Sequence, residues 1–95
     1  MTLKHERKGT DMTYHILFNP NAGNGNGEAS ARKLDTLLAG NELRYYDMTK
    51  IASYEDFFKP IPADEPIVIA GGDGTLNRFI NDTQSLSVVQ DIQYY

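Results

Sequence analysis

Two glycine-rich segments and one aspartate carry the chemistry available to this sequence. The first segment is Asn19-Pro20-Asn21-Ala22-Gly23-Asn24-Gly25-Asn26-Gly27, with glycine at three alternate positions. Glycine keeps side chains off the backbone and reaches positive φ without strain. Successive amides can then turn toward one anion, and the helical pattern that begins at Glu28 would add a favourable dipole. Neither standard phosphate motif fits. A Walker loop needs Gly-Lys-Ser/Thr, yet Glu28 follows Gly27; a dinucleotide fingerprint counted from Gly23-Asn24-Gly25 needs glycine where Glu28 stands. Asn-Gly pairs also favour hairpin turns, but no alternating strand pattern follows. A phosphate loop and a flexible connector both remain open.

The second segment is sharper. Gly71-Gly72-Asp73-Gly74-Thr75-Leu76-Asn77 places three glycines and one carboxylate between an apolar run, Ile67-Val68-Ile69-Ala70, and a helical pattern. The glycines would admit a polyphosphate to the backbone. Asp73 is a hard oxygen ligand suited to Mg2+, directly or through water. Thr75 could cap the helix or donate to phosphate. The plainer alternative is a tight strand-to-helix turn in which Asp73 or Thr75 only caps.

These segments need elements to hold them. Tyr14-His15-Ile16-Leu17-Phe18 is β-prone and ends at Asn19-Pro20. Glu28 to Ala39 has helical spacing, with Ala31, Leu34, Leu37 and Leu38 as its apolar stripe and Gly40-Asn41 as its stop. Leu43 to Asp47 reads as a second strand. Ser53 to Lys59 reads as a short helix capped by Ser53, with Phe57 and Phe58 turned inward. Prolines 60, 62 and 66 enforce a loop. Ile67 to Ala70 shows no polar alternation, as in a strand covered on both faces. Thr75 to Thr83 follows as a helix with Leu76, Phe79 and Ile80 on one face, and Val88-Val89 or Ile92 to Tyr95 forms a last strand. Strand and helix alternate, which predicts an α/β fold: a parallel doubly wound sheet with helices on both faces. Ligands of such sheets bind beyond the carboxyl ends of the strands, where both glycine segments fall.

Gly71-Gly72-Asp73-Gly74-Thr75-Leu76-Asn77 resembles the nucleotide loop of the diacylglycerol kinase catalytic domain family, which includes soluble bacterial diacylglycerol kinases and sphingosine kinases. Asn19-Pro20-Asn21-Ala22-Gly23 is similar to that family's first motif, Asn-Pro-x-Ala/Ser-Gly. The Gly-Gly-Asp-Gly core also occurs in NAD kinases and phosphofructokinases; the first motif, Leu76-Asn77 and the spacing favour the lipid-kinase branch. The resemblance covers Tyr14 to about Thr83. It implies a partial N-terminal nucleotide-binding domain of the diacylglycerol kinase/NAD kinase type, using ATP and Mg2+ to phosphorylate a lipid hydroxyl. By position, Asn19, Pro20, Asn21, Ala22 and Gly23 would contact the nucleotide. Gly71, Gly72, Asp73, Gly74, Thr75, Leu76 and Asn77 would wrap its phosphates. Asp73 would be both metal-linked and the proton acceptor. Thr49, after the second strand, matches a threonine that contacts ATP in the family, although an ordinary turn residue would fit the same spacing.

The pattern breaks at Arg78, where the family motif carries glutamate. Arg78 would lose a capping box with Thr75 and would oppose the dipole of the first turn by roughly 0.3–1 kcal/mol. It reads either as a phosphate contact or, preferably, as a solvated surface arginine. The family's next loop, Gly-Thr-Gly-Asn-Asp, and its β-rich lipid-binding domain have no counterpart in the sequence. The expectation is therefore an N-terminal fragment, binding nucleotide weakly and not turning over lipid.

Composition narrows the field further. Ninety-five residues suit one small domain. The expected organisation is a disordered lead over residues 1–12, with Met12 as an alternative start, and an ATP-binding portion over 13–95. No cysteine means no disulfide and no thiolate chemistry, and two histidines make a histidine metal cage unlikely on numbers alone. A net charge of −4 argues against a nucleic-acid partner. The charged N-terminus has no signal-peptide pattern, so a cytoplasmic protein, peripheral at a membrane through its lipid substrate, is expected. Exposed apolar surface could favour self-association. Two other readings stand beside the lipid kinase: an NAD kinase-like enzyme with a soluble substrate, and a non-catalytic nucleotide-binding or interaction module.

Overall fold

The computed structural model describes residues 12–95. The expected lead lies outside this range except for Met12, whose backbone bonds Asn41 Oδ1 and the Glu42 amide and so extends the first strand. Four parallel strands form one sheet: β1 (Thr13–Phe18), β2 (Glu42–Asp47), β3 (Ile67–Ala70) and β4 (Ile92–Tyr94). Their spatial order is β2-β1-β3-β4. β1 and β3 are the central strands, and each ends in four buried residues, His15 to Phe18 and Ile67 to Ala70. Their sequences lack polar alternation because both faces are covered.

One face packs Ile16, Phe18, Val68 and Ala70 against Ala31 and Leu34. These come from two short helices, α2 (Gly27–Ala31) and α3 (Leu34–Leu37). The other face packs Leu17, Ile67 and Ile69 against Met48, Tyr54, Phe58, Ile61 and Phe79. These come mainly from α4 (Tyr54–Phe58) and α5 (Asp73–Thr83). The sheet is therefore doubly wound, as the strand–helix alternation predicted. Ser53 caps α4 by accepting the Asp56 amide, 3.2 Å.

Two helices depart from the sequence reading. The stretch from Glu28 to Ala39 is not one helix. At Arg32 and Lys33 the hydrogen bonds tighten to three-residue spacing, Lys33 to Ser30 and Asp35 to Arg32. There Arg32 lies 4.4 Å over the Tyr45 ring and pairs with Glu28 at 3.0 Å. The buried stripe is Ala31 and Leu34, while Leu37 is 64% exposed. In α5 the inward face is Thr75, Phe79 and Thr83, at spacing four; Ile80 faces solvent and Leu76 is half-buried. The helix is rotated because Thr75 fills the space that Gly71 leaves open. Thr83 is satisfied by donating to the Phe79 carbonyl, 2.8 Å.

Tyr54 gives this core a measurable signature. Its ring meets Phe57 and Phe79 edge-on, and its buried hydroxyl has no partner among the described residues. Burial pushes the phenol up to about 12. The folded state thus holds the proton more tightly than the unfolded chain, so this contribution to stability is complete below about pH 10 and falls away toward pH 12. Tyr54→Phe is expected to stabilise the fold by about 1 kcal/mol at neutral pH, because an unpaired hydroxyl leaves the core. It should also flatten the alkaline loss. Urea unfolding of both chains at neutral and alkaline pH checks this; an equal midpoint at neutral pH would show that the hydroxyl is paired.

Candidate functional site

Parallel strands bring their carboxyl ends to one edge. Phe18 of β1 pairs in register with Asp47 on one side and Ala70 on the other, so three strand ends stand level. The chain leaves β1 first toward β2 and later returns to β3 on its opposite side. The crevice between β1 and β3 is the topological switch point, where ligands of open parallel sheets bind.

The first loop turns sharply there. Asn19 Oδ1 accepts the Asn21 amide at 3.0 Å, and the Asn19 carbonyl accepts the Ala22 amide at 3.0 Å. The turn α1 (Ala22–Gly25) is irregular, with left-handed Gly23 (φ +59°), Asn24 (φ +60°) and Gly25 (φ +90°). Gly27 serves a different purpose. A Cβ there would sit 1.8 Å from the Asn19 carbonyl oxygen, so its hydrogen lets α2 lie directly on the loop backbone. The long helix whose dipole was expected to favour an anion at Glu28 is in fact this five-residue turn.

The second loop separates its glycines by role. Gly71 has φ +151°, and a Cβ there would come within 2.6 Å of Thr75 Oγ1. Fold geometry alone requires it. Gly72 is the N-cap of α5 with φ −90°, and Gly74 lies in the first helical turn. At both, a Cβ would meet nothing within 4 Å. Asp73 is the exposed first residue of α5, at its positive dipole end. Thr75 is not the cap: it is 3% exposed, one turn in, beneath Gly71. Leu76 is half-buried and Asn77 exposed on the following residues.

This placement also corrects Arg78. With Gly72 as N-cap, Arg78 falls in the second turn, where neither the lost capping box nor the dipole penalty applies. It reaches Asp82 at 3.8 Å, with both side chains about half exposed, a surface pair of small worth. Thr49 sits in the short 3-10 turn Met48–Lys50 after β2. Its amide and hydroxyl donate to Asp47 Oδ1 at 2.9 and 2.6 Å. Those bonds, with Lys50 and Arg78 nearby, hold the Asp47 carboxyl below the usual carboxylate range.

Between the two glycine loops lies a cleft of about 290 Å³. Ala22, Gly23 and Gly27 form one wall with Ser30 and Ala31; Ala70, Gly71 and Gly72 form the other; Tyr95 closes the side. Of the residues predicted from sequence, the fold brings Ala22, Gly23, Gly71 and Gly72 together here. Asn19, Pro20 and Asn21 precede this wall in the same loop, Asp73, Gly74 and Asn77 continue from Gly72 along α5, and Thr49 stands apart at the end of β2. Ser30, Ala31, Ala70 and Tyr95 were not singled out from sequence. Tyr95 could not have been, since only pairing of β4 with β3 carries it to this edge: its amide donates to Ile69 and its carbonyl accepts from Gly71.

A parallel doubly wound sheet with two glycine loops at its switch point defines an α/β protein with the ligand-binding edge of open parallel sheets. Comparison with protein families matches residues 13–91 to the Diacylglycerol kinase catalytic domain. The chain belongs to the diacylglycerol kinase catalytic domain family, and its role is kinase-like. Comparison with curated proteins and with solved structures found no match. No helix among the described residues is long and apolar enough to cross a membrane.

Proposed function

We propose that this chain is the ATP- and Mg2+-binding portion of a lipid kinase that moves the ATP γ-phosphate to a lipid hydroxyl of the diacylglycerol type. One observation carries the reading beyond family membership. Gly72 and Gly74 have no steric or conformational reason within the fold to be glycine, yet they flank the only carboxylate of the loop at the start of an eleven-residue helix. Glycine in a helix costs about 1 kcal/mol relative to alanine. Gly74 is such a position; Gly72, the N-cap before it, is equally open, and together beside the cleft they leave room for phosphate against the backbone.

In this reading the amides around Gly72 to Asn77 hold the phosphates, and Asn19 to Gly23 contact the rest of the nucleotide from the facing loop. Thr49, apart from the cleft at the end of β2, would contact the nucleotide from across β1. Among the described residues no group of three metal-ligating side chains exists. Asp73 would therefore hold Mg2+ together with phosphate oxygens and water, the usual mode for this ion. Bound there, the ion would neutralise charge on the transferring phosphoryl group. Asp73 would also accept the proton of the lipid hydroxyl. Phosphoryl transfer depends on positioning and charge neutralisation, and among the described residues the cleft is lined by no charged side chain.

Calorimetric titration with ATP, with and without MgCl2, tests the proposal. The wild-type chain should bind ATP more tightly with Mg2+. Asp73→Asn should lose that gain while keeping metal-free binding. No ATP binding by either chain would refute the nucleotide role.

A further inference from the structure

We infer that the cleft between the glycine loops receives the flat base of the nucleotide, and that Tyr95 is the aromatic surface on which the base stacks. The inference rests on the proposed nucleotide site and deepens it by assigning its parts. A triphosphate needs amides, cations or a metal, and the cleft offers none of these as side chains. Its two walls are small residues, mostly glycine and alanine, and among the described residues none of its lining side chains is charged. Its volume, about 290 Å³, lies at the small end of ligand pockets, which start near 300 Å³. Such a slot suits a planar heterocycle and disfavours a polyanion.

Among the described residues, Tyr95 is the single aromatic lining it. Its position is fixed by two backbone bonds, to the Ile69 carbonyl at 3.0 Å and from the Gly71 amide at 3.1 Å. Neighbouring side chains on a strand point to opposite faces, so Tyr94 and Tyr95 diverge, and Tyr95 is the one turned to the cleft. The residue stays 44% exposed, leaving it accessible to a ligand. The hydroxyls of Tyr95 and Ser30 are the polar side-chain groups at this lining and would meet the base edge. Gly72 belongs both to the cleft and to the head of α5. A base held in the cleft therefore leaves its phosphates directed over Gly72, Asp73 and Gly74.

The test separates base from phosphate. Wild type, Tyr95→Ala and Tyr95→Phe are titrated with Mg2+-ATP, with Mg2+-tripolyphosphate, and with 2-aminopurine riboside triphosphate, whose emission is quenched on stacking. Tyr95→Ala should lose about tenfold or more in ATP affinity, the scale of one base–aromatic stack, and lose the quenching. Its tripolyphosphate affinity should match wild type, and Tyr95→Phe should retain both ATP binding and quenching. Equal losses for ATP and tripolyphosphate in Tyr95→Ala would show a structural role and overturn the inference. Unchanged ATP binding in that variant would overturn it while leaving the nucleotide site intact. A wild-type chain that binds no ligand of the three would remove the nucleotide site itself.

Discussion

Gly27→Ala should destabilise this protein by about 3 kcal/mol or more. The added methyl carbon would stand 1.8 Å from the Asn19 carbonyl oxygen and 2.8 Å from its carbonyl carbon, both backbone atoms. No rotamer change relieves such a contact, so α2 must back away from the loop. That movement strips Ala31, 1% exposed, from its packing on β1 and β3. Overpacking of this kind costs about 3 kcal/mol or more, against a total stability of roughly 5–15 kcal/mol for a domain. Glu28→Ala, one residue on and solvent-facing, should change stability by less than about 0.5 kcal/mol. Thermal and urea unfolding of the three chains provide the comparison. A wild-type midpoint for Gly27→Ala would mean that α2 and the Asn19 turn are not in direct contact.

Gly72→Val and Gly74→Leu should do the reverse, preserving the fold and abolishing nucleotide binding. Gly72 has a φ that any residue adopts, and Gly74 is helical, so neither needs glycine for its backbone. Open space surrounds both Cβ positions. Leucine at 74 should raise stability by up to about 1 kcal/mol, since glycine is a poor helix former. Each side chain would occupy the ground above the α5 amides, where phosphate is proposed to lie. ATP affinity should fall by at least a hundredfold, with the urea midpoint equal or higher for Gly74→Leu and modestly lower for Gly72→Val, since valine is a poorer N-cap than glycine. Full ATP binding by a folded Gly74→Leu chain would exclude the loop as a phosphate cradle. Read together, the three glycine variants assign different work to residues that look alike in the sequence.

Much of the fold is legible in residue order because its causes are local. Ile67 to Ala70 must be a doubly covered strand, since four consecutive apolar residues leave no face for water. Ser53 must begin a helix because its hydroxyl replaces a missing amide partner. Gly71-Gly72 must be a turn at a strand end, because glycine supplies its backbone freedom, and the structure starts α5 directly after it at Asp73. Alternation of these elements then restricts the architecture to a parallel, doubly wound sheet.

Other features lay beyond any local signal. The break at Arg32 answers to Tyr45, a residue on another element. The rotation of α5 that exposes Ile80 and buries Thr75 sets Thr75 directly against Gly71, a contact that exists only once the loop has folded. His15, a lone histidine in a β-prone run, is 2% exposed, and its two ring nitrogens lie 2.9 Å from Tyr46 Oη and 2.8 Å from Glu65 Oε1, thirty-one and fifty residues away. Gln90 likewise ties the chain after α5 to the carbonyls of Phe58 and Ile61.

The sequence by itself thus determined the element types, the two glycine loops and the edge of the sheet on which they stand. These depend on backbone freedom, apolar periodicity and the handedness of strand connections, all properties of short stretches. Only the tertiary structure decided which glycines serve the fold and which leave open ground, and that Tyr95 shares a cleft with Gly23. Those outcomes depend on distances between residues far apart in the chain, which packing alone sets.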